Sequence, residues 1–410
     1  MTRESVTIIP MLLNLEKKYF GKQLSRGFVY LYTGKTLRNI SGVLLGVFSA
    51  IFVYDLFDRS LTAVLIYTGL IHFLYGVTVI FGAKFLSRYD FRMGLQFSSF
   101  FLVLHYLIFY FATPNNWPYL VFPSILVHIF FMLSYWLPYH TDFAKFTNKE
   151  TRTRQVSALS AVPMVFGIIG PLLAGLIITQ VGFKFLFALV IILVIASAIP
   201  YSKVPKTKEK FTWSTTETWK HFFSKKHRKM IFAYGAGGIE GAIGVTVWPI
   251  FIYELLRGDY LKVGVISALI VGFTVILQLV LGRYIDLTGT KRNFLKWGSG
   301  LYAIGWLIKI FIATAFQIFV VGVYHSVTGL FLSTSFDSLN YDLAADNGHY
   351  VDEYTVLREI AINLGIAISC FVVIFVSIYF SVQAVFILAA LAAVLQNLLG
   401  AQELREPVAK

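Results

Sequence analysis

The chain is poor in charge and nearly free of cysteine. Of its 410 residues only 14% are charged, against about 25% in a typical soluble domain. Its single cysteine, Cys370, lies inside an apolar run, so no intrachain disulfide can form. The first residues lack a short apolar core followed by a small-residue cleavage site, so no signal peptide is expected. Gly34-Lys35-Thr36 is the tail of a phosphate-loop pattern, but Val29 stands where that loop needs a glycine, and no other stretch offers one. Direct drive by ATP is therefore not expected. No paired carboxylates share a helix face, and His72, His105, His128 and His325 fall on separate segments without ligand spacing. An enzyme acting on lipid, or a metal protein, finds no constellation to work with.

What the chain has in abundance is apolar length. Hydrophobic residues make up 57% and aromatics 17%. Runs of about 20 apolar residues, the length that spans a bilayer as a helix, recur from Leu37 to Gly400. Backbone polar groups in hydrocarbon need internal partners, which leaves helices or a closed barrel. Barrel strands alternate over about ten residues; these runs are continuous. The expected fold is an all-α polytopic membrane protein with twelve transmembrane helices in two pseudo-symmetric six-helix bundles.

The expected order is a cytoplasmic amphipathic segment at 1–36, a first bundle at 37–200, a basic linker at 201–229, a second bundle at 230–400 and a tail at 401–410. The first span is expected at 37–57 and the seventh at 230–256. With the N-terminus inside, 30 of the 35 Lys and Arg fall in cytoplasmic segments. Cations retained on the cytoplasmic side set orientation, so both termini are expected in the cytoplasm and the protein in the cytoplasmic membrane. The same asymmetry accounts for the net charge of +14 without a nucleic-acid partner. Oligomeric state leaves no mark in the sequence, and a monomer is the default expectation.

Between two apolar runs stands Gly282-Arg283-Tyr284-Ile285-Asp286-Leu287-Thr288-Gly289-Thr290-Lys291-Arg292. It is too short and charged to cross a membrane. Its Gly282, Asp286, Gly289, Lys291 and Arg292 resemble the signature loop of the major facilitator superfamily. An echo lies 200 residues earlier: Gly82 matches Gly282, Arg92 matches Arg292, and Asp142 matches Asp342. In the first copy Leu86 replaces the aspartate, with Asp90 and Arg92 following. The resemblance implies parallel repeats of six helices. It also implies an inner gate in which Asp286 meets the start of the fifth helix, with Arg154 or Arg152 as partner. Asp90, Arg92, Glu359 and Arg358 are candidates for the matching latch in the other half. In the stretch from Gly167 to Gly175, Gly170, Pro171 and Gly175 match part of the fifth-helix motif of facilitator antiporters, and its small residues, Gly167 among them, beside a proline permit close packing and a bend.

Glu240 is the most informative single residue. It lies mid-span among Gly235, Gly237, Gly238, Gly241 and Gly244. An ionisable group at mid-bilayer costs about 2.5–3.5 kcal/mol on insertion scales, and such groups tend to be functional. By the resemblance the first, fourth, seventh and tenth helices line a central cavity. That would place Glu240, His128 and His325 on it, for substrate contact or proton coupling. Packing histidines and a buried glutamic acid are the structural alternatives. His105, on the third helix, is expected at the periphery. Lys309, near an outer helix end, is expected to snorkel to the interface.

The expected activity is secondary active transport of a small molecule by alternating access: proton-coupled export of an amphipathic compound, without a cofactor, driven by a proton or other ion gradient. Uptake of a sugar or other polar metabolite, as a symporter, and a non-transporting sensor on the same fold remain open.

Overall fold

A computed structural model describes residues 25–146, 161–207, 211–285, 291–346 and 351–401. Among them twelve long helices and one short linker helix carry the fold. The first six are α1 (Arg26–Leu56), α2 (Leu61–Arg88), α3 (Phe91–Phe111), α4 (Trp117–Phe146), α5 (Ala161–Val181) and α6 (Phe183–Lys203). The linker holds α7 (Thr215–Phe222). Then follow α8 (Arg228–Leu255), α9 (Tyr260–Ile285), α10 (Lys291–Lys309), α11 (Ala315–Asp346), α12 (Val351–Tyr379) and α13 (Val382–Leu399). Eleven are long and apolar enough to cross a membrane. The twelfth, α10, carries four cations in its 19 residues.

The outside of the bundle is apolar. Phe100, Phe111, Phe122, Ile192 and Phe375 are each more than 60% exposed. Such a surface would associate in water, but it suits lipid tails. Inside each half the same pairings recur. The third and fourth long helices pack together, the third and sixth pack together, and so do the first and fifth, with counterparts in the second half. The halves meet mainly along α2–α12 and α5–α9.

Irregular backbone also repeats. The corner between α1 and α2 has Asp58 and Arg59 in the left-handed region, and the corner between α8 and α9 has Arg257 and Gly258 there. Mid-span, α1 breaks at Gly46 (φ 30°), and α8 carries a π-turn over Ile243–Val247 that includes Thr246, 200 positions on. Such π-turns concentrate at functional sites.

The helix α1 starts at Arg26, ahead of the expected 37. Ser25 caps it, its hydroxyl accepting from the Phe28 amide at 3.1 Å. Arg26, Lys35 and Arg38 interrupt the apolar run, which hid this helical start in the sequence. Residues 26–36 therefore belong to the bundle: Phe28 and Leu31 are buried against Leu95, Tyr135, Tyr139 and Tyr201. Lys35 bonds the Tyr139 hydroxyl. Residues 1–24 lie outside the described chain.

The linker touches both halves. Thr207 donates to Asp142 of α4 at 2.5 Å, and the Thr212 amide and hydroxyl donate to buried Glu353 of α12 at 2.9 and 2.6 Å. Its helix α7 starts in a capping box, Ser214 with Glu217.

Candidate functional site: a charged cavity in the second half

The sequence of α8 lets its backbone come close to α12. A Cβ on Gly238 would strike the Ile362 carbonyl, and one on Gly365 would strike Gly235. Glycine on both helices is what this approach demands. The contact fixes one face of α8 and turns Glu240 to the opposite side, toward α10. There Tyr302, Trp306 and Lys309 stand at helical spacing on one face. The Tyr302 hydroxyl donates to Glu240 Oε1 at 2.7 Å. Gly244, one turn on, leaves room for that carboxylate.

These groups line a cavity of about 390 Å³ with Trp248, His325, Gly241, Ser326 and Val245. His325 stacks on the Tyr302 ring at 4.1 Å and meets Trp306 edge-on at 4.7 Å. Lys309 corrects an expectation. It does not snorkel: it is 1% exposed, and its Nζ lies 3.6 Å from the Trp306 ring centre and 4.2 Å from that of Trp248. Facing two indole rings, the ammonium gains a cation–π attraction that replaces part of its hydration.

A second cavity of about 210 Å³ opens on the first half. His72, His105 and His128 line it with Tyr67, Thr68 and Ser49. His128 Nδ1 is 3.3 Å from His105 Nε2, so His105 is paired inside the bundle and not peripheral. His72 Nδ1 lies 2.6 Å from Asn363 Oδ1 of α12, across the two halves. Val245 of the π-turn lines both spaces, and Gly46, at the break of α1, lines the smaller. The structure thus brings Glu240 and His325 to one cavity and places His128 in its neighbour.

The other expected site residues divide three ways. Asp286, Gly289 and Arg154 lie outside the described residues. Gly282 falls near the end of α9, and Lys291 and Arg292 begin α10. Asp90 caps α3, accepting from the Met93 amide at 2.9 Å, and lies 3.9 Å from Arg92 Nε. Glu359 sits elsewhere, buried in a contact between halves: Tyr75 of α2 donates to it at 3.2 Å, and Arg358 Nη1 lies 3.3 Å from it and 3.0 Å from His140 of α4. Among the described residues, Asp90 and Glu359 share no partner.

The fifth-helix motif acquires a packing role. A Cβ on Gly175 would come to 2.8 Å from the Tyr260 carbonyl, and one on Gly264 to 2.5 Å from the Pro171 carbonyl. Gly170 faces Val43 of α1 and Gly167 faces Val271 of α9. At the end of the bundle away from the linker, Tyr260 donates to Asp55 at 2.5 Å, joining α9 to α1. Arg59 lies 3.8 Å from Asp55 and 3.5 Å from the Tyr253 hydroxyl.

Tyr302, Trp306 and the burial of Lys309 escaped the sequence reading. Their spacing on one face of the ninth span, facing a glycine-rich helix with a lone carboxylate, is the signal that could have found them.

Two six-helix halves with apolar outer faces, the second holding a charged internal cavity, define a polytopic membrane protein of the transporter type. The profile of the Major Facilitator Superfamily matches residues 31–252, and the chain belongs to that superfamily, whose members are transporters and not enzymes. The uncharacterized protein YqgE of Bacillus subtilis (strain 168) is 23% identical over 375 residues, 87% of this chain and 85% of that one. Among solved structures, the peptide transporter POT in complex with sulfate superposes with a TM-score of 0.65 at 13% identity, covering 92% of this chain and 94% of that one. A POT family transporter in complex with 5-aminolevulinic acid gives 0.66 at 12%, covering 92% and 95%. At these identities the likeness is one of fold.

Proposed function

We propose that this protein is a proton-coupled secondary transporter that moves a small amphipathic molecule across the cytoplasmic membrane by alternating access, as a monomer, with both termini inside. The observation that carries this reading is Glu240: a carboxylate on α8 just ahead of its π-turn, tied to Tyr302 and lining a cavity inside the second half. A cavity of about 390 Å³ falls in the range of small-molecule sites, about 300–1,000 Å³. Its Trp and Tyr walls suit an apolar body, and its few charges orient a polar end. The driving force is a proton gradient, with no bound cofactor.

The charge of the substrate fixes the direction. A cation competes with the proton for Glu240 and leaves by exchange, which is the export reading. An anion is favoured when Glu240 holds its proton, and the two travel together.

The test is solute-driven proton movement in proteoliposomes carrying an internal pH dye. A panel of amphipathic amines, acids and neutral analogues is added outside. Proton movement with wild type that is lost in Glu240→Gln supports the reading. Movement that persists unchanged in Glu240→Gln removes Glu240 from coupling.

A further inference from the structure

Among the described residues, two Lys or Arg side chains are buried, Arg38 and Lys309, and they differ in what surrounds them. Arg38 donates from Nη2 to Ser98 and Ser99 at 2.8 and 2.7 Å, and its plane lies between Tyr135 and Tyr201, at 4.4 and 4.7 Å from their ring centres. It lines neither of the two cavities described above. Lys309 has the opposite arrangement. Among the described residues it has no ion pair and no side-chain hydrogen bond, and it forms part of the cavity wall.

The groups around Lys309 explain why it is left unpaired. From α8 comes Glu240, whose Oε1 is held by the Tyr302 hydroxyl of α10. From α11 comes His325, stacked on Tyr302. α13 packs the apolar ring of Phe386 against Trp306, with Val385, Ala389 and Ala393 in the same apolar cluster, and α9 contributes Ile270 to the cavity wall. Trp248 and Trp306 hold the ammonium by their faces, which leaves its N–H donors without a fixed acceptor. A buried ammonium with unfilled donors costs free energy until an acceptor arrives.

We propose that Lys309 is the substrate-binding cation of this transporter and that the substrate is a small organic anion: a carboxylate on an apolar, aromatic-sized body. The carboxylate takes the donors of Lys309, and the body packs on Trp248, Trp306 and Tyr302. With Glu240 ionised, the cavity already contains a counter-charge for Lys309. With Glu240 protonated, Lys309 is the one full charge among the cavity-lining groups, so proton and anion bind together and are carried together. The proposal rests on the transport reading above and deepens it by choosing the sign of the substrate.

The test uses the full-length protein in detergent with three matched probes: 3-phenylpropionate, 3-phenylpropan-1-ol and 3-phenylpropylamine. Binding is read by thermal shift and by quenching of tryptophan fluorescence, at pH 6 and pH 8. The expected result is a preference for the acid of at least tenfold over the alcohol and the amine, stronger at pH 6. Lys309→Met should erase that preference, and Lys309→Arg should keep it. Glu240→Gln should keep acid binding and remove its pH dependence. A preference for the amine, an acid preference that survives Lys309→Met, or no discrimination among the three overturns the proposal. Failure here is separable from failure of transport. If amines still drive Glu240-dependent proton movement in proteoliposomes, the transporter stands with a cationic substrate. If no solute in the wider panel moves protons, the transport reading falls too.

Discussion

Tyr302 and Glu240 are joined by a 2.7 Å hydrogen bond from α10 to α8, inside the second half of the bundle and against its cavity. The bond fixes which way the carboxylate faces. It also means that Glu240 cannot turn toward Lys309 without giving up a partner. Leaving a buried acceptor unsatisfied costs about 1–3 kcal/mol. Tyr302→Phe should therefore leave folding largely intact but shift the pH midpoint of transport and lower its rate several-fold. The pH–rate profile in proteoliposomes checks this, and an unchanged profile would show that the bond does not bear on coupling.

On the alternating-access reading, closure at the end away from the linker rests on the approach of α5 and α9 at Gly175 and Gly264. Gly175→Val would place methyl groups against the Tyr260 carbonyl, already 2.8 Å from a bare Cβ. Overpacking of this kind costs about 1–3 kcal/mol. Because the contact lies between halves, the cost should fall on the closed state and not on the fold. The expected outcome is a protein of near-normal thermal stability whose cavity is reached more readily from that end. Labelling of an introduced cavity cysteine from each side checks it.

The same end is held by Tyr260 and Asp55. Tyr260→Phe removes a 2.5 Å bond between α9 and α1 and should act in the same direction as Gly175→Val. A double mutant that adds nothing to Gly175→Val alone would show that the two act on one closure. Full additivity would show that they act separately.

Much of this fold can be read from sequence because lipid leaves few choices. Continuous apolar runs must be helices, and the placement of cations orders them. The repeat at a 200-residue offset also survives as structure, in the paired breaks at Gly46 and Thr246. The site was less legible. A lysine near a helix end is explained equally well by snorkelling and by burial, and only the positions of Trp248 and Trp306 decide for Lys309. His105 and His128 sit on separate spans, 23 residues apart, with no periodic relation to announce their contact. The early start of α1 was hidden because Arg26, Lys35 and Arg38 read as loop charges, although Arg38 and the flanking Phe28 and Leu31 are buried.

Outside the membrane, the start of α7 gives a pH dependence with a definite sign. The Ser214 amide and hydroxyl hold the Glu217 carboxyl below its usual range. A carboxyl lowered in the folded state stabilises above its unfolded value, about 4.3, and that contribution is lost as pH falls through the folded value. Protease nicking near Ser214 should therefore rise on acidification below about pH 4. Ser214→Ala should show the faster nicking already at pH 7, with little further change on acidification. Equal nicking of both proteins at pH 7 would contradict the role given to this cap.

The most direct test of the account is the accessibility of Val245, the residue that lines both cavities. Val245→Cys is made in a Cys370→Ser background, reconstituted, and labelled by a membrane-impermeant thiol reagent from either side under imposed proton gradients. Alternating access through Glu240 predicts labelling from both sides in turn, with the balance set by the gradient, and a balance insensitive to the gradient once Glu240→Gln is added. Labelling confined to one side under every gradient, in both proteins, would contradict it.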